Sequence, residues 1–351
     1  MTTMTASTLD PAALPRAIAD VAALDELLSR PSEALVEELD RLDGDILVLG
    51  AGGKMGPTLA RLAARAAPRK RVVAVARFSE PNLRDELHRH GVETIACDLL
   101  DRGAVETLPK LANVVFMAGR KFGAEGDLPL TWAMNVEVPA IVAEAFRGSR
   151  IVAFSTGCVY PFVPIDHGGA TEATPPDPPG EYAMSCVGRE RMFEHFSQLH
   201  GTPGRLFRLN YAIDLRYGVL HDIARKVRSG KPIDVTMGHV NVIWQGDACM
   251  QALRCLCRCT SPTSALNVTG PEVLSVRALA GALGERLGRA PIVVGKEAPT
   301  AWLADTTEAL RLFGPPLVPI KVMMNWVADW VGRDLPSLDK PTKFEVRDGR
   351  Y

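Results

Sequence analysis

The chain has no long hydrophobic run. Nothing in its 351 residues approaches the roughly 18 consecutive apolar positions that a membrane-crossing helix requires. Residues 1–10 are polar, carry no lysine or arginine and lead into no apolar stretch, so the start does not read as a secretory leader. An excess of charge of one sign is missing too. Forty basic and forty-one acidic side chains leave a net charge of −1, which excludes the basic surface that nucleic-acid binding needs to displace counterions from phosphates. Cysteines are few and odd in number, seven in all; without an export signal they read as reduced thiols of a cytoplasmic protein. Three of them form Cys255-x-Cys257-x-Cys259 in a stretch of helical character. On a helix, residues two apart point in different directions, and no second Cys or His pair stands at finger-like spacing, so no metal is expected there. What is present is ordinary: 47% apolar and 23% charged residues, the balance of a globular protein whose core needs no staples.

Two unequal parts follow along the chain. Residues 1–43 hold nine acidic and three basic side chains, net −6. LDELLSRPSEALVEELDRL has helical spacing, with Pro31 opening a second helix and Ser32 or a neighbour capping it. This segment reads as a solvated helical extension held to the core by Leu35, Leu39 and Leu42. From Asp45 onward, short aliphatic runs (DILVLG, RVVAVA, ETIAC, NVVFMAG, RIVAFST) alternate with amphipathic helices. Continuous runs of this kind are strands covered on both faces, which predicts an α/β fold with a Rossmann-type doubly wound parallel sheet. The proline-dense stretch at residues 171–181 is a loop.

The first run leads directly into Gly50-Ala51-Gly52-Gly53-Lys54-Met55-Gly56 and then a helix. Glycines there let the backbone turn tightly and approach a pyrophosphate, which rests on the positive helix N-terminus. The strand–loop–helix context is what makes the motif specific. Its Gly50-x-x-Gly53-x-x-Gly56 spacing resembles the extended short-chain dehydrogenase/reductases, specifically the NAD-dependent epimerase/dehydratase family. Further landmarks resemble that family in order: Asp98-Leu99, Phe116-Met117-Ala118-Gly119, Asn135 opening a helix, Ser155-Thr156-Gly157-Cys158-Val159-Tyr160, Tyr182, Arg208-Leu209-Asn210-Tyr211, Val242 to Asp247, and Leu266-Asn267-Val268. The resemblance spans roughly residues 45–330. It implies that Gly50, Gly53, Lys54, Met55 and Gly56 hold the cofactor's pyrophosphate, Asp98 and Leu99 its adenine, and Ala118 and Gly119 its nicotinamide ribose. An acidic residue about twenty positions past the last glycine would hold the ribose hydroxyls of NAD. That position is Ala76, followed by Arg77, which can fork onto a 2′-phosphate or stack on adenine. With Lys54 nearby, the expected cofactor is NADP, with NAD as the close alternative.

In the family a tyrosine exchanges a proton with the substrate oxygen, a Ser/Thr hydroxyl orients that oxygen, and a lysine lowers the tyrosine's pKa from its usual value of about 10. Tyr182 and Thr156 match the first two roles. Cys186, four residues after Tyr182, occupies the lysine's place among the cofactor-contacting positions, and its neutral thiol cannot supply an ammonium's field. Three readings follow. Lys121, after the fourth strand, is a substitute cation; or the tyrosine works under the charge of the oxidised nicotinamide alone; or the protein is a non-catalytic NAD(P)-binding sensor. Cys186 itself reads as a small filler and not as a nucleophile. Gly157 and Cys158 stand where the family's dehydratases carry an acidic pair, which disfavours dehydration.

Oxidation or epimerisation of a secondary alcohol needs only hydride transfer and the Tyr182–Thr156 pair, so an NAD(P)-dependent oxidoreductase or epimerase is expected. The substrate is a sugar, sugar acid or nucleotide sugar, with neither nucleic acid nor membrane as partner, and a homodimer stays open. Asn210, Arg216 and His221 fall where the family builds its substrate lobe, Arg216 or His221 being placed to hold a carboxylate or phosphate. The expected organisation is an extension at 1–43, a dinucleotide-binding domain at 44–205 and 238–270, and a smaller substrate lobe at 206–237 and 271–351.

Overall fold

Aliphatic runs too short for helices bury both faces only by pairing side by side, and they do. The computed structural model describes residues 8–121, 123–340 and 342–350; residues 1–7, on which most of the leader reading rests, lie outside them. Strands β1 (Ile46–Leu49), β2 (Val72–Ala76), β3 (Glu93–Ala96), β4 (Asn113–Phe116), β5 (Arg150–Thr156), β6 (Gly204–Leu209) and β7 (Ser264–Val268) form one sheet of order β7-β6-β5-β4-β1-β2-β3. Every neighbouring pair is parallel. The chain lays down β1 to β3 in one direction and then returns to place β4 on the other side of β1. A crevice opens at the strands' carboxyl ends where that order reverses.

Helices make the crossovers. After β1 comes α3 (Gly56–Ala66), preceded by α1 (Val21–Leu28) and α2 (Glu33–Arg41) of the N-terminal segment; α4 (Leu83–Arg89) and α5 (Arg102–Thr107) flank β3. Between β4 and β5 lie α6 (Leu128–Trp132) and α7 (Val138–Ala145), and α8 (Glu181–His200) leads to β6. Between β6 and β7 are α9 (Val219–Ser229) and α10 (Gln245–Cys255); α11 (Val276–Leu287), α12 (Thr307–Phe313) and α13 (Ile320–Gly332) complete the chain. Alternate strand residues serve opposite faces. Ile46, Val48, Val72 and Ala74 pack with α1–α3 and α10, while Leu47, Leu49, Val73 and Val75 pack with Val105, Val142 and Phe193 from α5, α7 and α8.

Two expectations change in detail. Asn135 does not open a helix, because α6 runs through a π-helical turn (Ala133–Glu137) into α7, with Asn135 buried inside that turn. The boundary expected after residue 205 falls inside β6, whose residues all belong to the central sheet. The N-terminal segment packs on the core as expected, with Leu35, Leu39 and Leu42 all buried. Ser32 caps α2 by accepting Leu35 N–H at 3.2 Å, and Leu24, Leu28, Leu35 and Leu39 are wholly buried. Its acids pair with the core: Glu26 with Arg65 at 2.8 Å, Glu38 with Arg254 at 2.9 Å and Arg258 at 2.8 Å, and Asp25 with Arg216 at 2.9 Å.

The smaller lobe packs α9, α11 and α13 together through Ile223, Val227, Leu283 and Val327. Beyond α13 the chain crosses back over the crevice. Thr342 gives both N–H and O–H to Asp222, at 2.8 and 2.5 Å, Phe344 is buried, and Arg347 lies over the Phe162 ring at 4.1 Å. A Cβ on Gly180 would come within 2.6 Å of the Gly349 carbonyl oxygen, so the last described residues rest against the start of α8. Among the described residues no helix is long and apolar enough to cross a membrane, and no three His, Cys, Asp or Glu side chains are grouped to hold a metal ion. The cysteine cluster diverges: α10 ends at Cys255, Cys257 Sγ points to the Glu38 carbonyl and Cys259 Sγ to the Cys255 carbonyl.

Candidate active site

The glycine loop is dictated by close approach. Gly50 adopts φ +90°, and a Cβ there would collide with the backbone of Ala118 at the end of β4; one on Gly56 would collide with the Ala51 carbonyl. Only glycine lets β1 pass this close to β4 and then turn into α3. Met55 precedes α3 without a side-chain cap; Gly56 N–H turns back to the Gly53 carbonyl at 3.1 Å and Pro57 has no N–H, so it is the positive end of the helix dipole beside the crevice that suits an anion.

Two joined cavities flank this loop. The larger, about 310 Å³, has Gly50, Gly53, Lys54, Met55 and Gly56 on one wall. Gly119, Lys121, Thr156, Tyr182 and Asn210 line the other. The second, about 230 Å³, is lined by Ala76, Arg77, Asp98, Leu99 and Ala118 and shares Gly50, Gly53 and Gly119 with the first. A chamber on each side of an uncapped helix suits the two halves of a dinucleotide, with its anionic bridge on the glycine loop.

Within the larger chamber, Thr156 Oγ1 accepts the Cys158 N–H at 3.2 Å, which leaves its hydroxyl proton to donate to a substrate oxygen. Burial pushes the Tyr182 phenol well above its usual range, Cys186 and Cys158 add to the rise, and Arg189 opposes it. Lys54 Nζ lies 4.0 Å from the centre of the Tyr217 ring, and burial lowers its ammonium to about 8. The Lys121 ammonium is lowered as well, chiefly by burial.

Not every expected residue faces this chamber. Cys186 is fully buried one turn behind Tyr182, its thiol hydrogen-bonded to that side chain and packed among Val159, Tyr160 and Ala170, so Tyr182 stands between it and the chamber. Arg216 is paired with two carboxylates, with both oxygens of Asp214 at 3.0 and 2.8 Å and with Asp25 at 2.9 Å, so its charge is already offset, and it does not line the chamber. His221 is buried in α9 with Nε2 3.0 Å from Ser337 Oγ, in a separate cavity that it shares with Arg225 and Asp339. Asn210 lines the chamber with its amide held by the Trp302 carbonyl at 3.4 Å.

Several landmarks prove to be scaffolding. Arg208 forks onto Glu190 at 2.9 and 2.7 Å and gives a third hydrogen bond to Tyr160 Oη at 2.6 Å; Tyr160 in turn donates to Asn267 at 2.7 Å. This buried chain ties β5, α8, β6 and β7 together below Thr156. Tyr211 and Tyr217, which fall in the segment expected to build the substrate lobe, line the chamber, and sequence reasoning missed Thr342 beside them. It also missed Arg189, 7% exposed, whose position seven residues after Tyr182 was the available signal. Residues seven apart share a helix face.

A parallel sheet of this order, with a glycine loop and an uncapped helix at its switch point, defines a Rossmann-type dinucleotide-binding protein. The chain belongs to the NAD-dependent epimerase/dehydratase family, whose sequence model matches residues 46–241. Solved structures share the fold. A UDP-glucose 4-epimerase of Thermotoga maritima with UDP-glucose is 16% identical with a TM-score of 0.68, over 83% of this chain and 99% of that one. A UDP-glucose 4-epimerase of Thermus thermophilus in complex with NAD is 22% identical with a TM-score of 0.66, over 81% and 98%. A dTDP-glucose 4,6-dehydratase of Streptomyces venezuelae with NAD bound is 20% identical with a TM-score of 0.68, over 83% and 97%. No curated protein matches the chain.

Proposed function

We propose that the protein is an NAD(P)-dependent oxidoreductase or epimerase acting on a secondary alcohol of a sugar, sugar acid or nucleotide sugar. The observation that carries this reading is the single chamber in which Thr156 and Tyr182 face the glycine loop. Gly50, Gly53 and the α3 N-terminus would hold the cofactor's diphosphate, Asp98 and Leu99 its adenine, and Gly119 its nicotinamide ribose. When bound, the nicotinamide supplies the hydride acceptor and, for epimerisation, the hydride that returns to the other face of a transient ketone. Tyr182 takes the hydroxyl proton as the carbon–hydrogen bond breaks and gives it back on reduction, while Thr156 donates a hydrogen bond to the same oxygen. Gly157 and Cys158 offer no acid pair for elimination, so the reaction ends at the ketone or the inverted alcohol. Asn210, with Tyr211, Tyr217 and Val219 at the start of α9, supplies substrate contacts.

A screen of sugars, sugar acids and nucleotide sugars with both cofactors tests this, reading reduced-nicotinamide absorbance and, for redox-neutral turnover, inverted centres in the products. Turnover lost in Tyr182→Phe supports the reading. Tight cofactor binding with silence in both assays would make the protein a cofactor sensor. We also propose NADP as the preferred cofactor, since Arg77 lines the second chamber where an acid is absent at Ala76. Calorimetry on Arg77→Ala should show NADP affinity falling roughly tenfold or more and NAD affinity much less, the cost of one charge-assisted hydrogen bond. Equal losses would make Arg77 an adenine-stacking residue.

A further inference from the structure

A phenol that must give up its proton in a buried site needs positive charge nearby, and the usual source is absent here. The groups around Tyr182 are Cys186 on its own helix, Cys158 from the turn after β5, and Lys121, Lys54, Tyr211 and Tyr217 across the chamber. From beneath comes Arg189. It stands three residues after Cys186 and seven after Tyr182, on the same face of α8.

Its guanidinium is anchored on both sides of the site. Nη1 donates to the Phe154 carbonyl at 2.9 Å, two residues before Thr156, and Nη2 donates to Asn135 Oδ1 at 2.6 Å. Asn135 is itself fixed: Oδ1 also accepts the Arg120 N–H at 2.9 Å, and Nδ2 donates to Ser185 Oγ at 2.8 Å. A Cβ on Gly119 would collide with Nη2, so the guanidinium lies directly behind the turn that walls the chamber at its nicotinamide end. Among the described residues no carboxylate pairs with Arg189, and its buried Nε has no partner. Glu190, the adjacent acid, is committed to Arg208. A buried charge without a counter-ion is costly to the fold. It is intelligible where its field has a use.

We propose that Arg189 replaces the family's lysine as a positioning cation, placing a permanent positive charge behind Tyr182 and the Gly119 turn so that the phenolate is favoured as the substrate proton is taken. This rests on the reading of Tyr182 as the proton-exchanging group. Arg189 is the one cation among the leading influences that pull the phenol down against burial. Lys121, the alternative, has its ammonium lowered by burial, whereas an arginine does not deprotonate in proteins.

The test places difluorotyrosine at position 182, which brings the phenol's titration into an accessible range, and follows it by fluorine NMR in the full chain without cofactor. Arg189→Gln should raise the midpoint by about one pH unit or more. Arg189→Lys should recover most of that shift, and in natural-tyrosine protein the alkaline limb of oxidative kcat/KM should move in parallel. An unmoved midpoint in folded Arg189→Gln overturns the proposal. Should that variant not fold, the exchange Cys186→Lys with Arg189→Ala decides. A midpoint near wild type supports the assignment, and a fall of more than about one unit shows that the wild-type phenol had no cation and overturns it. Inactive Tyr182→Phe beside an unmoved midpoint would sink Arg189 alone; fully active Tyr182→Phe would sink the catalytic reading and the purpose given to Arg189 with it.

Discussion

Lys54 sits inside the glycine loop, beneath the place where the cofactor's diphosphate would lie, and its ammonium is lowered to about 8 by burial, partly offset by Asp214. An amine that loses its proton near that pH holds an anion less well above it. Cofactor affinity, measured by calorimetry across pH, should therefore decline as pH rises through about 8. Lys54→Met should bind more weakly at neutral pH and lose that pH dependence. A wild-type affinity flat across this range would remove Lys54 from the diphosphate site. The glycines around it were legible from sequence because their constraint is local: a strand, a turn with φ +90° at Gly50 and a helix are consecutive in the chain. Arg216 was not legible. Its charge is cancelled partly by Asp25, a residue of α1 far away in sequence, and no local pattern announces such a pairing.

Among the elements, α9 shows how a polar side chain on a helix can be read wrongly. Its His221 packs inward against Ser337, and burial lowers the imidazole to about 4. The folded protein therefore holds it neutral while the unfolded chain protonates near its ordinary value of about 6.5. The sign follows: this histidine's contribution is intact above that ordinary value and is lost as pH falls from there towards about 4. His221→Gln should flatten the acid side of the stability profile over that window by about 2–3 kcal/mol, read from denaturant midpoints. Because His221 lies outside the reaction chamber, KM should not change. A large rise in KM would restore it as a substrate residue. β1, β2, β4 and β5 were legible because each is a largely buried aliphatic run, β3 by its place in the alternation although it is half-exposed at the sheet edge, and α8 because Tyr182 and its neighbours match a known spacing. How deep a helix position lies depends on partners from distant segments, which is why Cys186 proved to be covered by Val159, Tyr160 and Ala170 and not to line the chamber.

At the scale of the whole molecule, the acidic N-terminal segment is a layer of the core, joined to α10 through Glu38. That carboxylate holds Arg254 and Arg258 together, Glu38 and Arg254 largely buried and Arg258 half-buried. Glu38→Gln should cost about 1–3 kcal/mol in thermal or denaturant unfolding, the penalty for leaving a sheltered guanidinium with half its partner. Turnover per folded molecule should be unchanged, and a loss of turnover at full stability would tie this segment to the site instead. The other end of the chain has a consequence for biosynthesis. The sheet is complete once β7 has formed, yet the chamber gains Thr342 only when the final stretch folds back, and the base of α8 gains Gly349 later still. Proteins emerge from the ribosome from their N-terminus onward and fold in that order. A nascent chain halted near residue 338 would thus already display the glycine loop while its chamber still lacked the wall that Thr342 supplies.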